Sequence, residues 1–138
     1  MRAMIINKAD ESTEAGIPPS QKVLVGVGNL VDEMAKAGVL LVGEGVQPSS
    51  KGARVKVTDG RRTVTDGPFA ETKELIGGIM LVQVRSMDEA IEWAARLAEI
   101  LESEVEVRPV VELSDFDDVL PPEEIARQQQ THDRLGGT

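Results

Sequence analysis

Two kinds of hydrophobic spacing alternate along the chain and predict its secondary structure. In two segments apolar residues recur every three or four positions, which is the spacing of one buried helix face. Short runs rich in Val, Ile and Leu lie around these segments and are typical of β-strands. The pattern predicts the order β-α-β-β-β-α-β, with a polar loop over residues 7–16 after the first strand and a short helix near the C-terminus.

Each of the two long predicted helices has a recognisable start signal. Two prolines precede Ser20, whose hydroxyl is suited to accept a hydrogen bond from a free N–H group of the first turn. Gly38 favours the end of that helix. Ser86 and Glu89 have the spacing of a capping box at the start of the second helix. The apolar faces comprise Val23, Val27, Leu30, Val31 and Met34 in the first helix and Met87, Ala90, Ile91, Ala94, Leu97, Ala98 and Leu101 in the second.

The sequence Val-Thr-Asp-Gly occurs twice, seven residues apart, in different surroundings. In the first copy Asp59-Gly60 predicts a type I′ hairpin turn, because both positions of that turn need positive φ. Residues 61–65 would then pair with residues 54–58, where Val alternates with Arg and Lys and predicts one solvent-exposed face. The second copy runs into Pro68, which lacks the N–H needed to continue a ladder, so the chain is expected to leave the sheet there.

Three predicted strands are apolar on both faces, namely residues 1–6, 39–42 and 79–84. Neighbouring residues of a strand point to opposite faces, and two helices cover only one face of a sheet. The predicted fold is therefore α+β, a single ferredoxin-like antiparallel sheet with both helices on one face and a second copy of the chain, as a homodimer, on the other. Residues 104–113 form the last strand, where Pro109 indicates a sheet edge or a bulge.

Composition and charge restrict the classes of function. The 138 residues suit one domain, which we place over residues 1–113, followed by a C-terminal extension over residues 114–138 with a short helix and a tail frayed beyond Gln128. A net charge of −9 opposes binding to phosphate backbones, and few aromatic residues are present for base stacking, so no nucleic-acid partner is expected. No apolar run is long enough to span a bilayer, so we expect no membrane partner and a cytoplasmic location.

Cofactor and metal motifs are also missing from the sequence. Without cysteine the chain has no thiol nucleophile and lacks the usual soft ligands of zinc. Gly26-Val27-Gly28 lacks the third glycine of a dinucleotide fingerprint and lies inside a predicted helix. The sequence therefore predicts neither a metal nor a cofactor.

The segments TDGPFAETKELIGG, AGVLLVGEGVQP and DEAIEWAARL…VEVRPV resemble the DGPF branch of the YCII-related family, whose signature is DGPFxETKE. The resemblance covers about residues 1–111 and implies a ferredoxin-like dimeric α/β barrel, in agreement with the two-sided strands. More distant relatives with this barrel include muconolactone isomerases, dehalogenating enzymes and small monooxygenases, and DGPF proteins often accompany extracytoplasmic-function sigma factors. YCII-type relatives carry a His-Asp pair in their cleft, whereas the single histidine here is His132. A His-based acid/base mechanism is therefore not expected.

Asp66 and Glu44 are the candidate catalytic residues. Each lies where a predicted strand ends beside glycine, and strand ends of this kind converge on a cleft beside the sheet. Burial raises the pKa of a carboxyl group and makes it a usable general base near neutral pH. The structural alternatives are an Asx turn at Asp66 and, for Glu44, a salt bridge with Arg54 or Lys73.

The charged stretch after the second Val-Thr-Asp-Gly supplies the candidate substrate-binding residues, which are Arg54, Phe69, Glu71 and Lys73. Glu71 and Lys73 could orient an anionic or hydroxylated substrate and Arg54 adds positive charge, but the same charges also suit a solvated or dimer-spanning cluster, with Phe69 anchoring the loop. Two functions follow. One is a cofactor-free lyase or isomerase that takes a proton from a small molecule in the clefts of a dimer. The other is a non-catalytic small-molecule-binding or regulatory dimer, linked through the resemblance to sigma-factor regulation.

Overall fold

The computed structural model describes residues 1–71 and 74–136 and has an α+β architecture. A four-stranded antiparallel sheet carries two long helices on one face, and a two-stranded hairpin stands apart from it. The strands are β1 (Arg2–Lys8), β2 (Leu40–Gly45), β3 (Ala53–Thr58), β4 (Arg61–Asp66), β5 (Ile76–Gln83) and β6 (Val105–Pro109). The helices are α1 (Glu11–Glu14), α2 (Gln21–Lys36), α3 (Met87–Leu101) and α4 (Pro122–Arg134).

The strand order of the main sheet is β2-β5-β1-β6, and all neighbouring strands are antiparallel. This is the order of a ferredoxin-like βαββαβ unit with the β3–β4 hairpin inserted between its second and third strands. The predicted α+β, ferredoxin-like antiparallel sheet with both long helices on one face is confirmed. β5 lies inside the sheet, as its two apolar faces predict, and β6 ends at Pro109 on the sheet edge, where the missing N–H breaks no ladder.

Side-chain caps fix the starts of the two long helices. The Ser20 hydroxyl accepts a hydrogen bond from the Val23 N–H at 3.2 Å at the start of α2. The Ser86 hydroxyl does the same for the Glu89 N–H at 3.2 Å at the start of α3. The Glu89 carboxylate, however, accepts from the N–H of Arg85 at 2.9 Å. In the predicted capping box the donor to Glu89 would be the Ser86 N–H, and in the structure it is the N–H of the preceding residue, Arg85.

Two helical segments differ from the sequence expectation. The polar loop expected over residues 7–16 contains α1, because the Asp10 carboxylate accepts from the Thr13 N–H at 2.7 Å and the Thr13 hydroxyl accepts from the Asp10 N–H at 3.1 Å. Near the C-terminus α4 continues to Arg134, past the expected end at Gln128, and His132 lies in its last turn. A hydrogen-bonded ion pair with Arg127 lowers the pKa of Glu124 to about 2 within this helix.

The β3–β4 hairpin forms the predicted type I′ turn but not the predicted packing. Asp59 and Gly60 both have positive φ, at 51° and 76°. β3 and β4 pair with each other in a sheet of their own, and every residue of both strands is exposed. The expectation of a single sheet in which this hairpin buries one face was wrong, because nothing in the described part of the chain is placed to cover its valines.

The hydrophobic core lies between the main sheet and helices α2 and α3. Ala3 pairs with Val82 and Ile5 with Met80 across β1 and β5, and all four side chains face the helices. Burial of this face supplies most of the favourable free energy of folding. The buried members of the core are Ala3, Ile5, Leu30, Met34, Val39, Met80, Val82, Val84, Ala90, Ala94 and Leu97.

The opposite surface of the main sheet, here called the outer face, is also apolar at its centre. Met4 pairs with Leu81 and Ile6 with Ile79, and none of the four belongs to the core cluster. The C-terminal helix approaches the outer face at Arg2, where a small cavity of about 270 Å³ lies. The structure therefore bears out the sequence observation that strands of this sheet are apolar on both sides.

Candidate functional site

The DGPF segment, residues 66–69, joins the base of the hairpin to the loop after β2. β4 ends at Asp66, as predicted from Pro68, and the Gly67 N–H donates to the Gly52 carbonyl at 3.1 Å. A Cβ on Gly67 would lie 1.7 Å from the backbone oxygen of Ser49. Only glycine therefore permits this close approach of two backbone segments.

A chain of hydrogen bonds continues from the DGPF segment to the first helix. The Phe69 N–H donates to the Ser49 hydroxyl at 3.0 Å. The Ser49 hydroxyl and N–H both donate to the Glu14 carboxylate, at 2.5 and 2.9 Å to its two oxygens. Ser49 opens a 3-10 turn over Ser49–Lys51, so this chain ties α1, the turn and the DGPF segment together. We call Glu14, Ser49, Gly67 and Phe69 the DGPF clamp.

Three of the predicted substrate-binding residues lie together at the Phe69 end of this clamp. The guanidinium carbon of Arg54 lies 3.9 Å from the centroid of the Phe69 ring, a cation–π contact. The same guanidinium lies 3.7 Å from the Glu71 carboxylate. Both charged side chains are more than half exposed, so the ion pair adds little stability. Lys73, the fourth predicted residue, lies outside the described residues.

A cavity of about 750 Å³ lies beside the clamp, where β1 and β2 end and β5 begins, and we call it the sheet-end cavity. The start of α2 and the end of α3 close its other side. Its apolar wall includes Ile17, Val23, Val46, Ile76 and Leu101. Its polar rim includes Asn7, Lys8, Asp10, Ser12, Glu14, Ser50, Lys51 and Ser103.

Gly77 lines this cavity beside Asn7, and Gly78 follows it in β5. A Cβ on Gly77 would lie 3.0 Å from the Asn7 amide nitrogen, and one on Gly78 would lie 2.8 Å from the Asn7 amide oxygen. The Asn7 side chain therefore occupies the space that side chains at these two positions would fill. Together the glycines let β1 approach β5 with a polar amide at the cavity edge.

The two predicted catalytic carboxylates lie elsewhere. Glu44 is exposed on β2 opposite Ile79, which places it on the outer face of the sheet. Asp66 is exposed at the end of β4 opposite Ala53. Neither residue lines the sheet-end cavity, and the structure does not bring the two carboxylates to one site. Among the ion pairs of the described residues, Arg54 pairs with Glu71, and the alternative pair of Arg54 with Glu44 is not formed.

Sequence reasoning missed the acid that organises this region. Glu14 sits in the segment expected to be loop, and its partner Ser49 lies 35 residues further along the chain. The signal was the Asp10–Thr13 capping spacing, which predicts a helical turn and thereby a fixed position for Glu14. Nothing in the local sequence indicates that Ser49 is its partner, because that contact forms only when β5 has paired with both β1 and β2.

No group of three or more His, Asp or Glu side chains is arranged to hold a metal ion within residues 1–71 and 74–136. In the same part of the chain no helix has the length and apolarity needed to cross a membrane. The carboxyl groups whose pKa is lowered, Glu33, Glu89 and Glu124, each accept a hydrogen bond from a neighbouring arginine, and they lie on helices away from the sheet-end cavity.

Comparison with known families identifies the chain. The YCII-related domain matches residues 1–114, which is most of the sequence. The protein belongs to the YCII-related family. The DGPF clamp and the sheet-end cavity both lie inside the part of this YCII-related protein that matches.

Two individual proteins are similar to this YCII-related chain. An uncharacterised protein of Rhizobium meliloti (strain 1021) is 40% identical over 65 residues, which cover 46% of this chain and 52% of that protein. The chain thus matches about half the length of this relative. The 5-chloro-2-hydroxyhydroquinone dehydrochlorinase of Burkholderia phenoliruptrix AC1100, solved in complex with 2,5-dihydroxybenzoquinone, has 11% identity and a TM-score of 0.42, with 81% of this chain and 95% of that chain covered. A likeness at that level carries no conclusion about activity.

Proposed function

We propose that this YCII-related protein binds a small amphipathic molecule in the sheet-end cavity. The observation that carries this proposal is the cavity itself, whose volume of about 750 Å³ is in the range of small-molecule sites. An apolar wall and a rim of hydroxyl, amide, ammonium and carboxylate groups line it. The structure thus favours the binding function over the proton-abstracting one.

The carboxylates on the rim of the cavity already accept hydrogen bonds within the chain, and this supports binding without catalysis. The described carboxylates on its rim are Asp10 and Glu14. An Asp10 oxygen accepts the Thr13 N–H, and both Glu14 oxygens accept from Ser49. A general base needs an oxygen within hydrogen-bond reach of the substrate proton, and both Glu14 oxygens and one of the two Asp10 oxygens already accept hydrogen bonds from the chain itself.

One ammonium group of the rim is placed to bind a ligand with negative charge, and the two rim carboxylates are bonded to Thr13 and Ser49. Lys51 lies on the rim, in the turn that the clamp holds in place. Lys8 is also on the rim, but its ammonium lies 3.8 Å from the Glu106 carboxylate. A short aliphatic carboxylate would place its chain against Val23 and Leu101 and its head group near Lys51.

Replacing Lys51 by glutamine is expected to weaken binding of such ligands about tenfold, because one charge-assisted hydrogen bond is lost. Hexanoate is a suitable probe, and titration calorimetry measures its Kd. Lys36→Gln is the matched control, since it makes the same change at the far end of α2, outside the cavity lining. Equal affinity of Lys51→Gln and the control, or no carboxylate binding by the natural protein, would contradict the proposal.

A homodimer is part of the same proposal. The apolar centre of the outer face, formed by Met4, Ile6, Ile79 and Leu81, is separate from the core cluster against the helices, with Ile6 buried and the other three half-buried, and it suits the corresponding face of a second copy. Sedimentation at micromolar concentration measures the oligomeric state directly. A single monomeric species would remove this part of the proposal and leave the cavity unaffected.

A second candidate function rests on the position of Glu44. This carboxylate lies next to Ile79 on the outer face, where a second copy would exclude water, and a cofactor-free lyase or isomerase would use it as general base there. Turnover that survives Glu44→Gln in the dimer would exclude the Glu44 mechanism.

Asp66 is the other candidate base. We expect Asp66→Asn to keep Tm within a few degrees if the residue serves a site and to lower Tm clearly if the carboxylate ties the turn. The link to sigma-factor regulation stays a prediction.

A further inference from the structure

The β3–β4 hairpin presents an apolar face that no element within residues 1–71 and 74–136 covers. Val55 lies directly opposite Val64, and Val57 lies opposite Arg62. Val55 is 64% exposed, Val57 is 67% exposed and Val64 is 57% exposed. We call these three valines with Arg62 the valine face. A lone two-stranded hairpin is at best marginally stable in water, so this face needs a partner surface.

The hairpin is also electrically distinct from the rest of the molecule. Residues 53–66 contain four basic and two acidic side chains, a net charge of +2. Because the whole chain has a net charge of −9, the residues outside the hairpin together carry −11. An acidic, partly apolar surface is the partner that such a hairpin would attract.

Residues 111–124, here called the acidic segment, have those properties. They contain six acidic residues and no basic residue. Three apolar residues in the segment are exposed, with Val111 at 60%, Phe116 at 41% and Val119 at 77%. Glu112 and Glu124 have ion-pair partners within the chain, and Asp117 and Asp118 are exposed between the apolar residues.

The valine face and the acidic segment belong to opposite ends of the main sheet. The clamp fixes the hairpin base near the last residues of β1, where Ala9 bonds to Leu75. The acidic segment follows β6 at the first residue of β1, where the Val110 N–H donates to the Arg2 carbonyl. The seven residues of β1 span roughly 20 Å, so the junctions that carry the two surfaces are far apart in one chain.

We propose that the valine face of one copy packs against the acidic segment of a second copy. A twofold axis perpendicular to β1 reverses the direction of the strands, so it brings the hairpin end of each copy to the acidic-segment end of the other. The contact then forms twice and flanks the outer faces. This inference rests on the homodimer of the proposed function and specifies which further surfaces hold it together. The clamp orients the hairpin for this contact by fixing its base.

Charge reversal on each surface tests the contact, with sedimentation equilibrium as the measurement. Val55→Asp with Arg62→Glu changes the valine face, and Asp117→Lys with Asp118→Lys changes the acidic segment. Each double variant alone is expected to raise the dimer Kd about tenfold or more. An equimolar mixture is expected to form heterodimers with a Kd near that of the natural protein, because one contact is then natural and the other is reversed on both sides.

Thr63→Asp with Arg61→Glu is the matched control, because it makes the same change of charge on the opposite face of the hairpin. Its dimer Kd is expected to stay within about threefold of the natural value. A natural dimer whose Kd does not respond to the valine-face variant, or a mixture that shows no recovery, would overturn the hairpin contact and leave the homodimer standing. A monomeric natural protein would overturn both.

Cross-linking keeps the test decisive if a charged variant does not fold. The chain has no cysteine, so each introduced cysteine provides a single attachment point. A short bismaleimide should join Val57→Cys chains to Val119→Cys chains in a mixed sample. Thr63→Cys, on the other hairpin face, should give several-fold less product with the same partner. Equal yields for the two hairpin positions would contradict the proposal.

Discussion

Replacing Gly67 by alanine is expected to destabilise the protein more than most surface-loop substitutions do. The new Cβ would lie 1.7 Å from the backbone oxygen of Ser49, and the clashing atom belongs to the main chain, so it cannot swing aside as a flexible side chain would. Forced separation of the two segments breaks the Gly67–Gly52 hydrogen bond and the bond from Phe69 to Ser49. We expect a loss of about 2–3 kcal/mol in the free energy of unfolding, seen as a Tm about 10 °C lower.

Gly28→Ala is the matched control for this experiment. Gly28 lies inside α2, and a Cβ there would meet nothing within 4 Å. Alanine is therefore expected to raise the free energy of unfolding by about 0.5–1 kcal/mol through its higher helix propensity. Amide exchange over residues 53–66 gives a second readout, because only the Gly67 variant should loosen the hairpin base. A Gly67→Ala protein as stable as the natural one would show that the DGPF clamp does not hold the hairpin.

The second large effect is expected from adjacent aspartate substitutions in β5. Val82 is fully buried against the helices, so Val82→Asp places an unpaired charge in the core and should cost roughly 3–5 kcal/mol or more. That loss is a large part of the roughly 5–15 kcal/mol that stabilises a typical domain. Leu81 lies one residue away on the outer face, so Leu81→Asp should lower the free energy of unfolding of a monomer by only about 1 kcal/mol.

Urea unfolding at a concentration where the protein is monomeric separates these two effects from dimer dissociation. Sedimentation at higher concentration then gives the association of each variant. Leu81→Asp should be a folded monomer, because the charge lies at the centre of the proposed dimer interface. A dimeric Leu81→Asp protein would contradict the outer-face interface, and a stable Val82→Asp protein would contradict the assignment of the core.

The sequence predicted the elements that depend on local chemistry. Ser20 and Ser86 mark helix starts because their hydroxyls bond to N–H groups three residues away, and Asp59-Gly60 marks a turn because its φ angles are positive. The two-sided strands predicted an internal position for β5 in the same way. Each of these predictions depends on residues that are neighbours along the chain or along one element.

The position of the hairpin shows where such reasoning stops. The alternation of Val with Arg and Lys predicted a strand with one buried face, and the structure leaves both faces exposed. Alternation shows which side chains share a face, but not whether another element covers that face. Likewise, the sequence suggested Asp66 or Glu44 as the general base of a cleft beside the sheet, whereas both are exposed and neither lines the sheet-end cavity.

By itself the sequence determined the two long helices and their caps, the type I′ turn and the surplus of apolar strand surface, because all of these depend on short-range bonding and on side-chain periodicity. Tertiary structure alone decided that Glu14 meets Ser49, that Gly67 must be glycine, and that a cavity opens where three strand ends meet. The first two contacts join residues that are 35 and 18 positions apart, and the sequence signals no such pairing because it exists only after the sheet has placed those segments side by side.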